Sequence, residues 1–278
     1  MRMPQLFKDL IRGVTIVFVE RRLPGRVYSL YFRLLNRMGI RFATIRLKNG
    51  FVVRAYTHCI TILHEIWDKR DYDIPGFSWD KSMTAIDIGA NQGFFSLYAA
   101  SKGATVYAFE PCQENFAVFR WNVENNGLGE QVRMFNSAVT GKKGQVALFV
   151  GLDRSGEILS GSVSTCNPNR GGIGVKATQV ESVTLDSIMD DLRIGKCDFL
   201  KMDCEGAEYE ILRNTSRRTF RKIGRISMEC HGNRMSEAET MLKEAGFDIV
   251  CARPGITGVL KAVNTQSDGA EFLHLSRV

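Results

Sequence analysis

The hydrophobic pattern changes period several times along the chain. Near the start, Leu6, Leu10, Val14 and Val17 recur at helical spacing, and Val27, Leu30, Tyr31, Leu34, Leu35 and Met38 do so again after Pro24-Gly25. Two amphipathic helices are predicted there. Residues 44–48 and 51–56 read as two strands around Asn49-Gly50, a dipeptide whose backbone suits a tight hairpin. A helix over about 59–70 follows, then an aromatic segment with Tyr72, Phe77 and Trp79. From near Ser82 onward, short apolar runs alternate with helical-period segments. Strands are predicted over 84–88, 105–109, 132–138, 145–150, 197–203, 224–230, 247–252 and 271–277, and helices over 94–101, 113–125, 184–192, 206–213 and 235–245. That alternation is the mark of an α/β fold built on a doubly wound, mostly parallel sheet. Residues 254–269 read as the turn of a closing antiparallel hairpin, and 151–177, rich in Gly, Ser and Asn, as a mobile loop near the site. The organisation expected is a basic helical arm over 1–43, a hairpin-and-helix extension over 44–81 and an α/β domain over 82–278.

Composition narrows this picture. A chain of 278 residues that is 44% hydrophobic holds one sizeable domain plus an extension. The seven cysteines are scattered with no CxxC pair, which points to buried thiols in a reducing compartment and away from a disulfide framework or a zinc site. The net charge of +7 is uneven: residues 1–50 carry eleven Lys/Arg against two acids, and the rest carries 26 against 28. The basicity therefore belongs to the arm, as the solvated face of a docked extension or as a surface for anionic lipid. The apolar stretch Val14–Val19 is six residues long, far short of the roughly 20 a membrane span needs. No small-residue cleavage site follows it. The expected location is cytoplasmic, and peripheral at the membrane only if the arm is a lipid-holding surface.

Acids stand at the predicted strand ends. Asp87-Ile-Gly89-Ala-Asn91-Gln-Gly93 closes one strand and opens a helix at Phe94. A pyrophosphate cofactor would be repelled by an acid at that turn, whereas the methionine ammonium of S-adenosylmethionine would be held by it. No GxGxxG turn is present, which counts against a dinucleotide oxidoreductase. Glu110-Pro111 ends the next strand, where an acid in nucleotide-binding α/β folds binds the ribose hydroxyls. Asn115 lies on the following helix, seven residues before Asn122, which reads as a helix-surface or capping residue. Asn136-Ser137-Ala138 ends a third strand, facing an adenine ring if the fold is of this kind. Asp203 and Glu205 are two residues apart beside Lys201, and Glu229 and His231 share a face of the next strand. Crowded carboxylates could be relieved by a divalent cation, but the spacing assigns no metal site.

These pieces, in this order, resemble the FkbM family of S-adenosylmethionine-dependent methyltransferases. The resemblance rests on Ile86-Asp-Ile-Gly-Ala-Asn-Gln-Gly93, Phe109-Glu-Pro111, Asn136-Ser-Ala138, Val183-Thr-Leu-Asp-Ser187 and Leu200-Lys-Met-Asp-Cys-Glu-Gly-Ala-Glu208, and covers roughly residues 45–260. It implies a Rossmann-like fold with a seven-stranded, mostly parallel sheet whose last strand runs antiparallel. It also implies methyl transfer to a hydroxyl of a sugar, glycan, glycolipid or natural product. The expected cofactor contacts are Asp87, Gly89, Asn91, Gly93, Phe94, Glu110, Pro111, Asn115, Asn136, Ala138 and Asp203, and the expected catalytic groups are His231, Asp203 and Glu205. A nucleic-acid acceptor is not expected, because the body is slightly acidic and shows no aromatic-basic platform. The alternatives are a nucleic-acid methyltransferase, which the basic arm permits, and a non-catalytic, membrane-associated module on the same fold.

Overall fold

The computed structural model describes residues 16–17, 35, 40, 42–152, 158–166, 174–255 and 257–266. Successive residues of a strand point to opposite sides of a sheet. In β4 (Thr84–Ile88) Ala85 enters one apolar cluster while Ile86 and Ile88 enter the other; in β11 (Phe199–Met202) Phe199 and the pair Leu200 and Met202 divide the same way. A strand that is apolar on both sides must be covered on both sides, and these are.

The central sheet has seven strands in the order β13-β14-β12-β11-β4-β5-β6. The others are β5 (Thr105–Phe109), β6 (Val132–Phe135), β12 (Arg225–His231), β13 (Phe247–Arg253) and β14 (Thr257–Asn264). Only β14 runs against its neighbours; the β11–β12, β11–β4, β4–β5 and β5–β6 pairs are parallel. The antiparallel strand thus lies where the sequence reading put a turn. Gly258 and Lys261 interrupt its apolar pattern, yet Lys261 is buried and donates to the Asp73 carbonyl at 2.6 Å. The strand expected at 271–277 lies outside the described residues.

A second sheet, ordered β7-β10-β8-β9, overturns the mobile-loop reading of 151–177. It contains β7 (Ala138–Val139), β8 (Gly144–Leu152), β9 (Ile158–Ser164) and β10 (Gly174–Val183). The strand expected over 132–138 breaks at Asn136-Ser137 and contributes to both sheets, and 145–150 belongs to this second sheet.

Helices α2 (Phe94–Ser101), α3 (Gln113–Asn125), α4 (Leu185–Asp191), α5 (Glu208–Asn214) and α7 (Met235–Glu244) fall where the pattern predicts them; the five-residue α6 (Arg217–Arg221) is too short to show a period. The helix expected over 59–70 is a 3-10 turn, a short α1 (Ile60–His64) and a wider π turn over Glu65–Lys69. Of the two amphipathic helices expected in the arm, most lies outside the described residues. Ile16–Val17 instead form β1, parallel to Thr44–Ile45.

The hairpin of β2 (Phe42–Arg46) and β3 (Val52–Tyr56) is pinned to the body by carboxamides. Asn122, fully buried, accepts from Arg54 N–H at 2.6 Å and donates to the Arg54 and Gln92 carbonyls at 2.9 Å. Asn126 exchanges two 2.8 Å bonds with Val52. An edge strand needs partners for its backbone groups, and these two amides supply them. Asn122 is therefore a buried bracket and not a helix-surface residue.

Candidate active site

The parallel strands β4, β5 and β11 end side by side, and the chain turns there in conformations that few residues adopt. Gly89 has φ +75, and a Cβ on it would run into the Asp203 carbonyl oxygen; Gly93, at φ +81, leaves room for the Phe119 ring. Asn91 and Glu205 are left-handed at φ 53 and 56. For Glu205 that conformation is strained, and such strain is held only where the surroundings fix it. The Glu205 carbonyl is held by the Ser164 hydroxyl at 2.8 Å.

A cleft of about 650 Å³, its open mouth included, lies at these strand ends. Gly89, Asn91, Glu110, Pro111, Asn115, Ala138, Asp203 and Glu205 line it, so eight of the expected site residues meet in one place. The second sheet supplies the facing wall through Leu148, Val163, Ser164 and Thr165, which sequence reasoning missed. Glu110 is only 3% exposed and accepts N–H bonds from Asn91 at 2.7 Å and Cys112 at 2.9 Å. With the Asn115 amide as a third donor, one of the four lone pairs is left for a ligand hydroxyl. Burial pushes the Glu110 carboxyl up to about 7, against the pull of these donors and of the Asn115 amide.

Other expected residues stand elsewhere. Phe94 is buried in the core, its carbonyl accepting from Trp67 Nε1 at 3.1 Å, and Asn136 donates to the Glu110 carbonyl at 2.8 Å, bracing the turn from outside the cleft. Asp87 is fully buried. It lies opposite Lys201 in the β4–β11 register, with Lys201 Nζ 3.1 Å from its Oδ1 and the Ser96 hydroxyl donating to its Oδ2 at 2.7 Å. Lys201 also donates to the Gly89 carbonyl at 2.7 Å. Burial works against the ammonium, but Asp87 and Asp203 outweigh it and the Lys201 pKa rises. Asp87 thus acts on the glycine turn through Lys201.

Beyond Asp203 and Glu205 a second cavity opens, about 1110 Å³ with its open mouth included, whose wall includes Glu65, Asp71, Tyr72, Glu229 and Arg253. The two cavities share Ile62, Asp203 and Glu205. Tyr72 donates to Asp203 at 3.0 Å and stands 3.1 Å from Glu229, and the Asp203 charge, with burial second, pushes Glu229 up to about 7. His231 is buried behind this wall, its Nε2 3.3 Å from Glu205 and 3.7 Å from Glu229, its Nδ1 3.0 Å from Glu208. Asp203, Glu205 and His231 each bring one oxygen or nitrogen within 4.8 Å of one another, a spacing open to a divalent cation. Among the described residues no helix is long and apolar enough to cross a membrane.

Known proteins match this arrangement of sequence and fold. Methyltransferase 1 of Beauveria bassiana is 26% identical over 207 residues, covering 68% of this chain and 81% of its own. The 31-O-demethyl-FK506 methyltransferase FkbM of Streptomyces tacrolimicus is 24% identical over 234 residues, covering 74% and 89%. A crystal structure of methyltransferase FkbM from Methylobacillus flagellatus aligns with a TM-score of 0.48 at 15% identity, over 72% of this chain and 47% of that one, so this chain spans under half of that structure's length. The model of the methyltransferase FkbM domain matches residues 87–249, more than half of the chain. The protein therefore belongs to the FkbM family of methyltransferases.

Proposed function

We propose that this protein is an S-adenosylmethionine-dependent O-methyltransferase whose acceptor is a hydroxyl on a neutral, polyhydroxylated molecule: a sugar, glycan, glycolipid or natural product. The observation that carries this reading is the meeting of two cavities at Asp203 and Glu205, one suited to a nucleoside and the other walled by acids.

The first cavity fits the cofactor by its chemistry. Glu110 offers its remaining lone pair to a ribose hydroxyl, Asn115 and Asn91 add polar contacts, and Ala138, Val139, Leu148 and Val163 form an apolar wall for a flat base. The acids at the junction suit a cofactor that carries positive charge. Bound there, S-adenosylmethionine supplies a methyl group on a cationic sulfur.

The chain's own residues then have two tasks. Asp203 and Glu229 orient the acceptor hydroxyl, and alignment of this kind lowers a barrier by roughly 7–11 kcal/mol in favourable cases. Glu205, which faces both cavities, takes the hydroxyl proton and passes it to Nε2 of His231, 3.3 Å away. Glu65, Asp71, Asp203, Glu205 and Glu229 on the acceptor side disfavour a phosphate-bearing acceptor, nucleic acid included, and favour hydroxyls that donate to carboxylates. The name of the Streptomyces tacrolimicus relative places its methyl group on an oxygen, which supports the same outcome here. The basic residues before about position 40 would keep such an enzyme near anionic lipid, where a glycolipid acceptor is presented.

The test is incubation with cofactor carrying a ¹³C-labelled methyl group and a panel of sugars, glycans and glycolipids. The expected product gains one methyl by mass and shows a methoxy carbon resonance. Label found on nitrogen or carbon would refute O-methylation.

A further inference from the structure

Glu208 has no part in the mechanism so far, yet it is among the least accessible acids of the protein. Its side chain is fully buried at the start of α5. Oε1 accepts the Cys204 N–H at 2.9 Å and Oε2 the Gly206 N–H at 2.9 Å. Oε1 also stands 3.0 Å from Nδ1 of His231. An ionised carboxylate has only acceptors, so at this contact the ring nitrogen has to be the donor. Nε2 faces the Glu205 carboxylate at 3.3 Å and donates there too when the ring is doubly protonated; in the neutral ring the shorter, fully buried Glu208 contact takes the proton on Nδ1 and leaves the lone pair on Nε2. From the far side the Tyr209 hydroxyl donates to the His231 carbonyl at 2.8 Å, fixing the backbone from which the ring hangs.

We propose that Glu208 is a positioning residue for His231: it selects the Nδ1–H tautomer and turns Nε2 toward Glu205 and Glu229. The tautomer claim stands on the geometry alone; its catalytic consequence rests on the O-methyltransferase reading above. Nε2 can receive a proton only in this tautomer, and the proton it gains faces two carboxylates, at 3.3 and 3.7 Å. The charged groups around the ring are Glu208 from α5, Glu205 and Asp203 from the β11–α5 turn, and Glu229 from β12; on β14 the partner of His231 is Thr257, which does not titrate. The same carboxylate staples the turn that carries Asp203 and Glu205, so one residue sets the spacing between the imidazole and the acids in front of it.

The bland alternative is that Glu208 only staples the turn, as an acid at a helix start often does. Two measurements separate them. The first uses the wild-type protein: ¹⁵N spectra of the imidazoles, with His231 assigned by its disappearance in His231→Gln. The proposal expects the Nδ1–H tautomer in the neutral ring; the Nε2–H tautomer, or a ring that stays doubly protonated well above neutral pH, would overturn it. This result does not depend on finding an acceptor, so loss of the methyltransferase reading leaves it standing. The second is a double-mutant cycle on turnover. Glu208→Gln is expected to lower kcat by about 10-fold or more, with the acceptor KM little changed, by analogy with the loss on disturbing an acid–histidine pair. In the His231→Gln background the same change is expected to cost about twofold or less, since the group it positions is gone. An equal cost in both backgrounds would mean a purely structural role. Glu208→Asp, which keeps the charge, is expected to recover part of the turnover; if both variants fail to fold, the wild-type spectrum still decides.

Discussion

Replacing Lys201 with methionine is expected to destabilise the protein by about 3–5 kcal/mol. The side chain is 4% exposed and sits between Asp87 and the Gly89 carbonyl. Without the ammonium, Asp87 keeps its Ser96 partner but stands as an uncompensated charge in the interior. Removing both charges is a different experiment: in Asp87→Asn/Lys201→Met the fully buried carboxylate goes with its partner, only the part-exposed Asp203, 3.9 Å from the ammonium, loses a counter-charge, and most of the loss should be recovered. Denaturant titrations of the wild type, Lys201→Met and the double variant measure this. A Lys201→Met midpoint close to wild type, or a double variant no better than the single, would mean that the pair does not support the fold as described. Because Lys201 also holds Gly89, the single variant should bind the cofactor weakly even under conditions where it remains folded.

The largest expected effect on chemistry is at His231. Substitution by glutamine keeps a polar side chain of similar reach but removes the proton acceptor. Glu205 then has no group to pass the hydroxyl proton to, and turnover should fall by about 10²–10⁴-fold, the usual range for general acid–base catalysis. Cofactor affinity should hardly move, because His231 is absent from the wall of the nucleoside cleft. Single-turnover rates with an acceptor that the wild type methylates, set beside calorimetric binding of the cofactor product S-adenosylhomocysteine, separate the two effects. A variant with near-native turnover would remove His231 from the proton path and leave the carboxylates to act alone.

Much of this arrangement was legible before the structure. The period of the apolar residues located the parallel strands and most helices, because buried strands flanked by glycine turns leave a local trace. Asp87, Glu110, Asp203 and His231 could be named because each ends such a strand. What the sequence could not show was which acids face a ligand. Asp87 and Glu110 look alike as strand-end acids, but Asp87 meets Lys201, a residue far along the chain, whereas Glu110 meets only donors and an open cleft. The second sheet was missed for a compositional reason. Its strands include Ile158-Leu-Ser-Gly-Ser-Val-Ser164, whose small polar residues look like loop. Asn122 was misread because nothing local distinguishes a carboxamide in water from one that brackets an edge strand.

Glu110 tests the central claim most directly, because the nucleoside cleft depends on it. Its carboxyl holds a proton up to about 7, so its share of ligand-free stability is complete below the ordinary value of 4.5 and is lost as pH rises through 7. Binding runs the opposite way, since ribose hydroxyls need the ionised form as acceptor. Calorimetric titration of S-adenosylhomocysteine into wild type and Glu110→Ala, below and above pH 7, is the measurement. The account predicts one site per chain, affinity that strengthens as pH rises through about 7, and a loss of tenfold or more in Glu110→Ala, roughly the worth of one charged hydrogen bond. Equal affinity in the two proteins, or no binding to the wild type, would contradict it.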